Sequence, residues 1–278
     1  MTSIARSLVV CLSLAPATWA QGAVTPPNSG VLINGRDLAL FAGATAATAM
    51  VSRLDVRIAR TFGDSTFHAR HPGFTTAAKR TSLMTETVLM LTGSAVWGIA
   101  RLSHDRGTAD VAFHTTEAVA SGAAFIQVVR GALGRARPYV IDDAGERRDA
   151  DPYEFQLLHG FTSFNYRSFP SMHAMASFAA ASALAQEMRV RRTPLRAGIS
   201  PLLYTAAAMP CLARVYLDEH WTSDIALGVF LGVFAGQKAV LYSHDHPNNR
   251  VDRAFLKPTI RASMVGDARG LRFVLAPF

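Results

Sequence analysis

The sequence predicts an all-α protein: a bundle of six core helices, with a tail that can form a short C-terminal β-hairpin. Three observations carry that expectation. One apolar segment follows another along 278 residues, of which 50% are hydrophobic. Helix-start signals stand where such segments begin, most clearly Pro170-Ser171 ahead of the Ala-rich run from Ala174 to Ala185. The charge-free stretches are all shorter than the ~18 to 20 apolar residues needed to span a bilayer. Ala197 to Ala213 comes closest but carries Pro201 and Pro210, which favours helices buried in a core.

In chain order, Met1 to Ala20 has a positive residue, Arg6, then an apolar run from Leu8 to about Pro16, then a small-residue ending. That is the pattern of a secretory signal peptide (1–20) and predicts export to a bacterial periplasm or cell envelope. Cys11 would leave with it, so Cys211 alone would remain and no intrachain disulfide could form. A polar, Pro-containing leader occupies 21–35. Helices are expected near 36–61, 80–103, 109–134, 171–189, 195–216 and 221–243, all within one catalytic unit at 36–245. The connection at 139–169 runs from polar Asp142-Asp143 to an apolar half with Phe155, Leu157, Leu158, Phe161, Phe164 and Tyr166. A connection of this length is either a lid that covers the site and helps select the substrate or a core-packing connector. In the tail (246–278), Gly266 and Gly270 bracket a turn between two apolar runs, hence the hairpin.

Lys and Arg number 28 against 20 Asp and Glu, a net charge of +8. That balance suits anionic substrates or an anionic membrane surface. No basic-aromatic cluster or nucleic-acid motif is visible, so nucleic acid is not an expected partner. His68, His71, His104 and His114 lie outside any ligand-like spacing and are expected at the surface or at helix ends. His244-Asp245-His246 lacks a further clustered ligand and reads as a solvated turn. No metal or cofactor is expected.

Three short stretches carry the chemistry: Arg130-Gly-Ala-Leu-Gly-Arg-Ala-Arg137-Pro138, Pro170-Ser171-Met172-His173, and Arg214-Val-Tyr-Leu-Asp-Glu-His220-Trp-Thr-Ser-Asp224. Phosphoryl transfer asks a protein mainly to hold anionic oxygens and stabilise charge on them. Arginine forks suit that task, so Arg130, Arg137 and Arg214 read as a cationic cage. Ser171 reads as the cap of a helix whose free first-turn N–H groups would add donors to the phosphate. His173, in that first turn, is placed to act as general acid. His220 and Asp224 stand four apart, so a carboxylate can fix the imidazole tautomer and leave the other nitrogen free to attack phosphorus. Arg214 and His220 would diverge by about 240° on one continuous helix. A break between Tyr216 and His220 is therefore expected.

These residues and spacings resemble the signature of the type 2 phosphatidic acid phosphatase superfamily, which also includes bacterial acid phosphatases and vanadium haloperoxidases. The matched motifs run from Arg130 to Asp224. The resemblance implies phosphate ligands at Arg130, Arg137, Ser171, Met172 and Arg214, an acid at His173, and a nucleophile with its partner at His220 and Asp224. Arg130 replaces the usual Lys and keeps the charge, whereas Met172 replaces the usual Gly and keeps only the backbone N–H. The implied activity is hydrolysis of phosphomonoesters or lipid (di)phosphates, phosphatidic acid and prenyl diphosphates included, through a phosphohistidine. Two alternatives stay open: a vanadate-dependent haloperoxidase, and a non-catalytic envelope protein that binds anionic lipid or phosphate. The family holds soluble and integral membrane proteins. A soluble or surface-associated enzyme is the expectation, with integral attachment and oligomeric state left open.

Overall fold

The computed structural model describes residues 33–277 apart from 64, 143, 258, 259, 268 and 269, so the expected signal peptide and most of the leader lie outside the described residues. Helices α1 (Gly35–Val51), α2 (Asp55–Phe62), α3 (Ser65–Arg70), α4 (Pro72–Thr81), α5 (Glu86–Leu102) and α6 (Arg106–Leu133) come first. A small hairpin of β1 (Tyr139–Ile141) and β2 (Arg147–Asp149) follows. Then come α7 (Met172–Val190), α8 (Arg196–Tyr216), α9 (Thr222–Asp245) and α10 (Arg250–Phe255), and the tail pairs β3 (Ile260–Asp267) antiparallel with β4 (Gly270–Pro277). The fold is all-α with the expected tail hairpin.

Local chemistry sets most helix starts. Asn34 and Asp37 exchange side-chain and amide bonds at 2.9 and 3.0 Å to begin α1. Thr85 and Asp105 cap α5 and α6, each accepting from the amide three residues on. Gly134, at φ 58°, closes α6 in the left-handed conformation. The helix expected over 36–61 is two, because a 3₁₀ turn at Ser52–Leu54 redirects the chain and aims the Asp55 carboxylate into the interior, where it is fully buried. The helix expected from 80 starts at Glu86, since the chain turns after Thr81 and α4 meets α5 at 54°. Helices α3, α4 and α10 and the β1–β2 pair were not expected; each is too short to show a period in sequence.

Helix α7 is the centre of the bundle, packed by α6, α8 and α9. On one side Phe178 meets Ile58, Tyr204, Cys211, Val215 and Ile225; on another Met175 and Ala179 meet Val119, Ile126 and Leu231. Gly228, Gly232 and Gly236 repeat every fourth residue on α9 and form its contact face with α7. A β-carbon at Gly228 would lie 2.7 Å from the Ser171 carbonyl oxygen, and one at Gly236 would lie 2.6 Å from that of Ala179. The missing side chains let the two backbones approach closely, which brings the start of α9 against the start of α7. The Ser171 amide then donates directly to the Asp224 carbonyl at 3.1 Å.

One described helix, Thr222–Asp245, is long and apolar enough to cross a membrane, and the bent pair α4–α5 passes the same test if taken together. The sequence expectation that every apolar stretch falls short therefore needs correction for α9, where Lys238 interrupts the charge-free run without ending the apolar helix. Its glycine face is packed into the core.

His114 is also a correction. It sits within α6 at 4% exposure, neither at the surface nor at a helix end. Its Nδ1 lies 2.5 Å from Glu187 Oε1, and His244 Nε2 lies 3.1 Å from the same oxygen, so the fold supplies His244 with neighbours that spacing alone did not reveal. Arg191 Nε donates to the other Glu187 oxygen at 2.7 Å, which balances the cluster as an ion-pair network. Burial alone would lower the His114 pKa, but the bond and charge of Glu187, with Asp252 and Asp110, hold it above its usual value. Burial likewise pushes the Glu187 carboxyl up, and the bonds from His114, His244 and Arg191 outweigh it and hold it well below the carboxylate range.

The linkage signs follow from these directions. The raised His114 stabilises the fold below the ordinary histidine range and loses that contribution as pH rises through its folded pKa. The depressed Glu187 contributes above the ordinary carboxylate range and loses it only in strong acid. His114→Ala is therefore expected to cost about 3 kcal/mol between these limits, with the deficit shrinking at alkaline pH. Thermal melts across pH check this; a deficit that grows with pH would contradict the assignment.

Candidate active site

The site forms where α6 and α8 end and α7 and α9 begin. Arg130 is in the last turn of α6, and Arg137 lies just beyond it in an extended segment that the 139–169 connection holds in place. Phe164 contributes twice: its carbonyl accepts from Arg137 Nε at 3.2 Å, and its ring lies 4.1 Å from the guanidinium. The Asn165 carbonyl accepts from the Arg137 amide, and the Gly134 and Ala132 carbonyls accept from the Gln156 and Leu158 amides. The connection is thus pinned by its backbone along the end of α6, while Leu157, Leu158, Phe161 and Phe164 expose their side chains. It packs as a connector and presents an apolar rim.

Arg214 is in the last turn of α8, and the expected break follows: α8 stops at Tyr216, and Asp218 turns the chain at φ 59°. His220, 3% exposed, and Glu219 precede α9. Arg137 Nη1 and Arg214 Nη2 converge on one oxygen, Glu219 Oε2, at 2.7 and 2.9 Å. Arg137 Nη1 also donates to the Glu219 carbonyl at 2.7 Å. Arg214 Nε is buried with no hydrogen-bond partner among the described residues. Arg130 holds Gln127 Oε1 through Nε and Nη2 at 2.8 and 2.5 Å. Burial lowers all three arginine pKa values, Arg137 to about 10, which leaves each charged at neutral pH.

Ser171, fully buried, caps α7, its Oγ accepting from the Ala174 amide at 3.5 Å. Met172 and His173 supply first-turn N–H groups, which a helix leaves without intrahelical partners. The Met172 side chain itself packs into the core rather than toward a ligand. His173 Nε2 lies 3.2 Å from the Ser82 carbonyl and so carries the proton there. Burial pushes the His173 pKa down to about 4, and Arg214, Arg137 and Arg130 all push the same way. Burial also holds His220 well below its usual value, followed by Arg137, Arg214 and His173. The two imidazoles and the arginines therefore act on one another within one site.

Asp224 Oδ2 is 3.4 Å from His220 Nδ1, on the expected side of the ring but beyond a well-formed hydrogen bond. The carboxylate is held more firmly by other groups. Ser168 Oγ and the Trp221 amide donate to Oδ2 at 2.5 and 2.9 Å, and Arg135 Nη1 donates to Oδ1 at 2.5 Å. Burial pushes the Asp224 carboxyl up; Arg135 and these donors pull it back.

Arg135, Asp55 and Glu219 were not singled out in sequence. Arg135 Nη2 bonds Asp55 Oδ2 at 3.0 Å, its Nη1 also reaches Ser223 Oγ at 2.8 Å, and its Nε reaches the Pro152 carbonyl at 2.8 Å. Asp55 in turn accepts from the Ser223 amide and hydroxyl at 2.9 and 2.5 Å. Two buried carboxylates thus share one buried guanidinium directly beneath His220. The signal for Arg135 was its place two residues before Arg137 in an extended segment; Asp55 had none, because its partners are remote in sequence.

An all-α bundle with a buried cationic site at one end is the class that fold and geometry define. The chain belongs to the PAP2 superfamily, whose model matches residues 112–248 and so covers every site residue expected from sequence. No curated protein and no solved structure matches it. PAP2 members generally hydrolyse phosphoric esters, so membership supports phosphatase-type activity in general.

Proposed function

We propose that the protein is a phosphatase that hydrolyses phosphomonoesters or lipid (di)phosphates through a phosphohistidine, without a metal or other cofactor. The observation that carries this is the convergence of Arg137 and Arg214, from separate elements, on a single oxygen position beside a buried His220. In this reading a phosphoryl oxygen takes that position, and Arg130, Ser171 and the first-turn amides of α7 receive the other oxygens. The free nitrogen of neutral His220 attacks phosphorus, the bond to the leaving oxygen breaks, and His173 gives that oxygen a proton. Water then attacks the phosphohistidine, returning a proton to His173 and releasing inorganic phosphate. Asp224, fixed by Arg135 and Ser168, orients His220.

The substrate class follows the site's surroundings. Exposed Leu157, Leu158, Phe161 and Phe164 beside Arg137 suit a phosphate that carries an apolar group, and exposed Leu91, Ile99 and Leu202 suit association with a membrane surface. The Met1–Ala20 pattern supports action in the cell envelope.

The test is phosphate release by the purified chain, without added metal, across soluble phosphomonoesters, phosphatidic acid and prenyl diphosphates. Because kcat/KM reports the free enzyme, its dependence on protonated His173 predicts an acidic optimum, falling as pH rises above about 4. A dianionic substrate among the arginines offsets their effect on His173, so kcat should fall only at a higher pH. Identical alkaline limbs for kcat and kcat/KM would contradict the role given to His173. Halide oxidation after vanadate loading, with no phosphate release, would reverse the reading itself.

A further inference from the structure

The Arg137–Glu219–Arg214 contact places an anion of the protein's own inside the cationic cage. We infer that Glu219 is a displaceable internal anion, standing where a phosphoryl oxygen binds between Arg137 and Arg214 and thereby setting how tightly that position takes phosphate. The inference rests on the phosphatase reading above and adds a residue that determines affinity.

Three features distinguish Glu219 from the structural acids nearby. Asp55 and Asp224 are fully buried and each accept from hydroxyl and amide donors as well as from Arg135, so neither can leave. The Glu219 side chain is 24% exposed, and among the described residues its side-chain bonds come only from the two arginines. It therefore has a route to solvent, and no other described residue holds its carboxylate. Arg137 keeps its place without that carboxylate, because the Glu219 carbonyl, the Phe164 carbonyl and the Phe164 ring also fix its guanidinium.

Arg214 supplies the third feature. With Glu219 taking only its Nη2 proton, Arg214 Nε stays buried and without a partner among the described residues, which is costly for a charged donor. The Glu219 oxygen that the two arginines share accepts from Arg214 Nη2 and not from Nε. A tetrahedral phosphoryl group brings enough oxygens to take the place of Oε2 and reach Nε with another. Exchange of Glu219 for phosphate thus breaks two charge-assisted bonds and satisfies a donor that Glu219 leaves unmet. The returning carboxylate then competes with inorganic phosphate and favours its release after hydrolysis.

The experiment is equilibrium titration of the full chain with inorganic phosphate, comparing the parent with Glu219→Gln and Glu219→Ala. Removing the competing charge should tighten phosphate by about tenfold in both variants, with product inhibition strengthened and KM lowered by a similar factor while kcat does not rise. Unchanged or weaker phosphate binding in the variants, together with a fall in kcat at constant KM, would mean that Glu219 only positions the arginines, and would overturn the inference. No phosphate binding by the parent or by either variant would instead overturn the phosphate site on which it rests.

Discussion

Replacing His220 with alanine is expected to lower phosphate release by roughly 10⁴-fold or more, because in the proposed mechanism it is the group that forms the covalent intermediate. Burial, with the charge of Arg137 and Arg214, holds the His220 pKa well below its usual value and so favours the neutral form that a nucleophile needs. The arginines do not depend on it for their placement, so His220→Ala should still bind inorganic phosphate. His173→Ala should behave differently. A substrate whose leaving group departs without a proton can still phosphorylate His220, but water then attacks without a base, so the phosphoenzyme accumulates. Rapid quench with labelled substrate checks both: label held on the parent, more on His173→Ala, none on His220→Ala. Label on His220→Ala equal to the parent's would eliminate His220 as the nucleophile.

Much of this candidate site could be read from the sequence because its residues lie at or near helix ends, where capping residues and charge stand out from apolar runs. The six long helices were legible for the same reason, and the 240° conflict between Arg214 and His220 predicted a real break. What escaped was decided by tertiary contact. Nothing local marks Asp55 as buried, since its partners Arg135 and Ser223 are 80 and 168 residues away. His114 and Glu187 sit on different helices and meet only when α6 packs on α7. Glu219 was visible beside His220 but reads as an ordinary turn acid until Arg137 and Arg214 are seen to share it. The connection at 139–169 lacked a period because its order comes from hydrogen bonds to the end of α6 rather than from its own repeat.

Arg135 is where the hidden part of the site should show its largest effect on stability. Arg135→Met keeps the volume and removes the cation, leaving Asp55 and Asp224 fully buried without their shared counter-charge. Breaking a buried pair from one side costs about 3–5 kcal/mol, a large share of a domain's total stability. Some of that loss should return in acid. Without Arg135, burial raises both carboxyl pKa values further, so the folded state holds protons that the unfolded chain has released, and the variant's deficit shrinks as pH falls. Asp55→Asn in the Arg135→Met background removes one stranded charge, so the double variant should be more stable than Arg135→Met alone. Activity should follow the same logic through Asp224: a carboxyl that has taken up a proton and lost its anchor no longer orients His220, so kcat falls while the arginine cage still binds phosphate. Melting curves with and without Asp55→Asn, read beside kcat and phosphate affinity, separate these effects. A neutral Arg135→Met would mean that the hydroxyl and amide donors alone stabilise both carboxylates, and the network beneath His220 would then have no role in holding it.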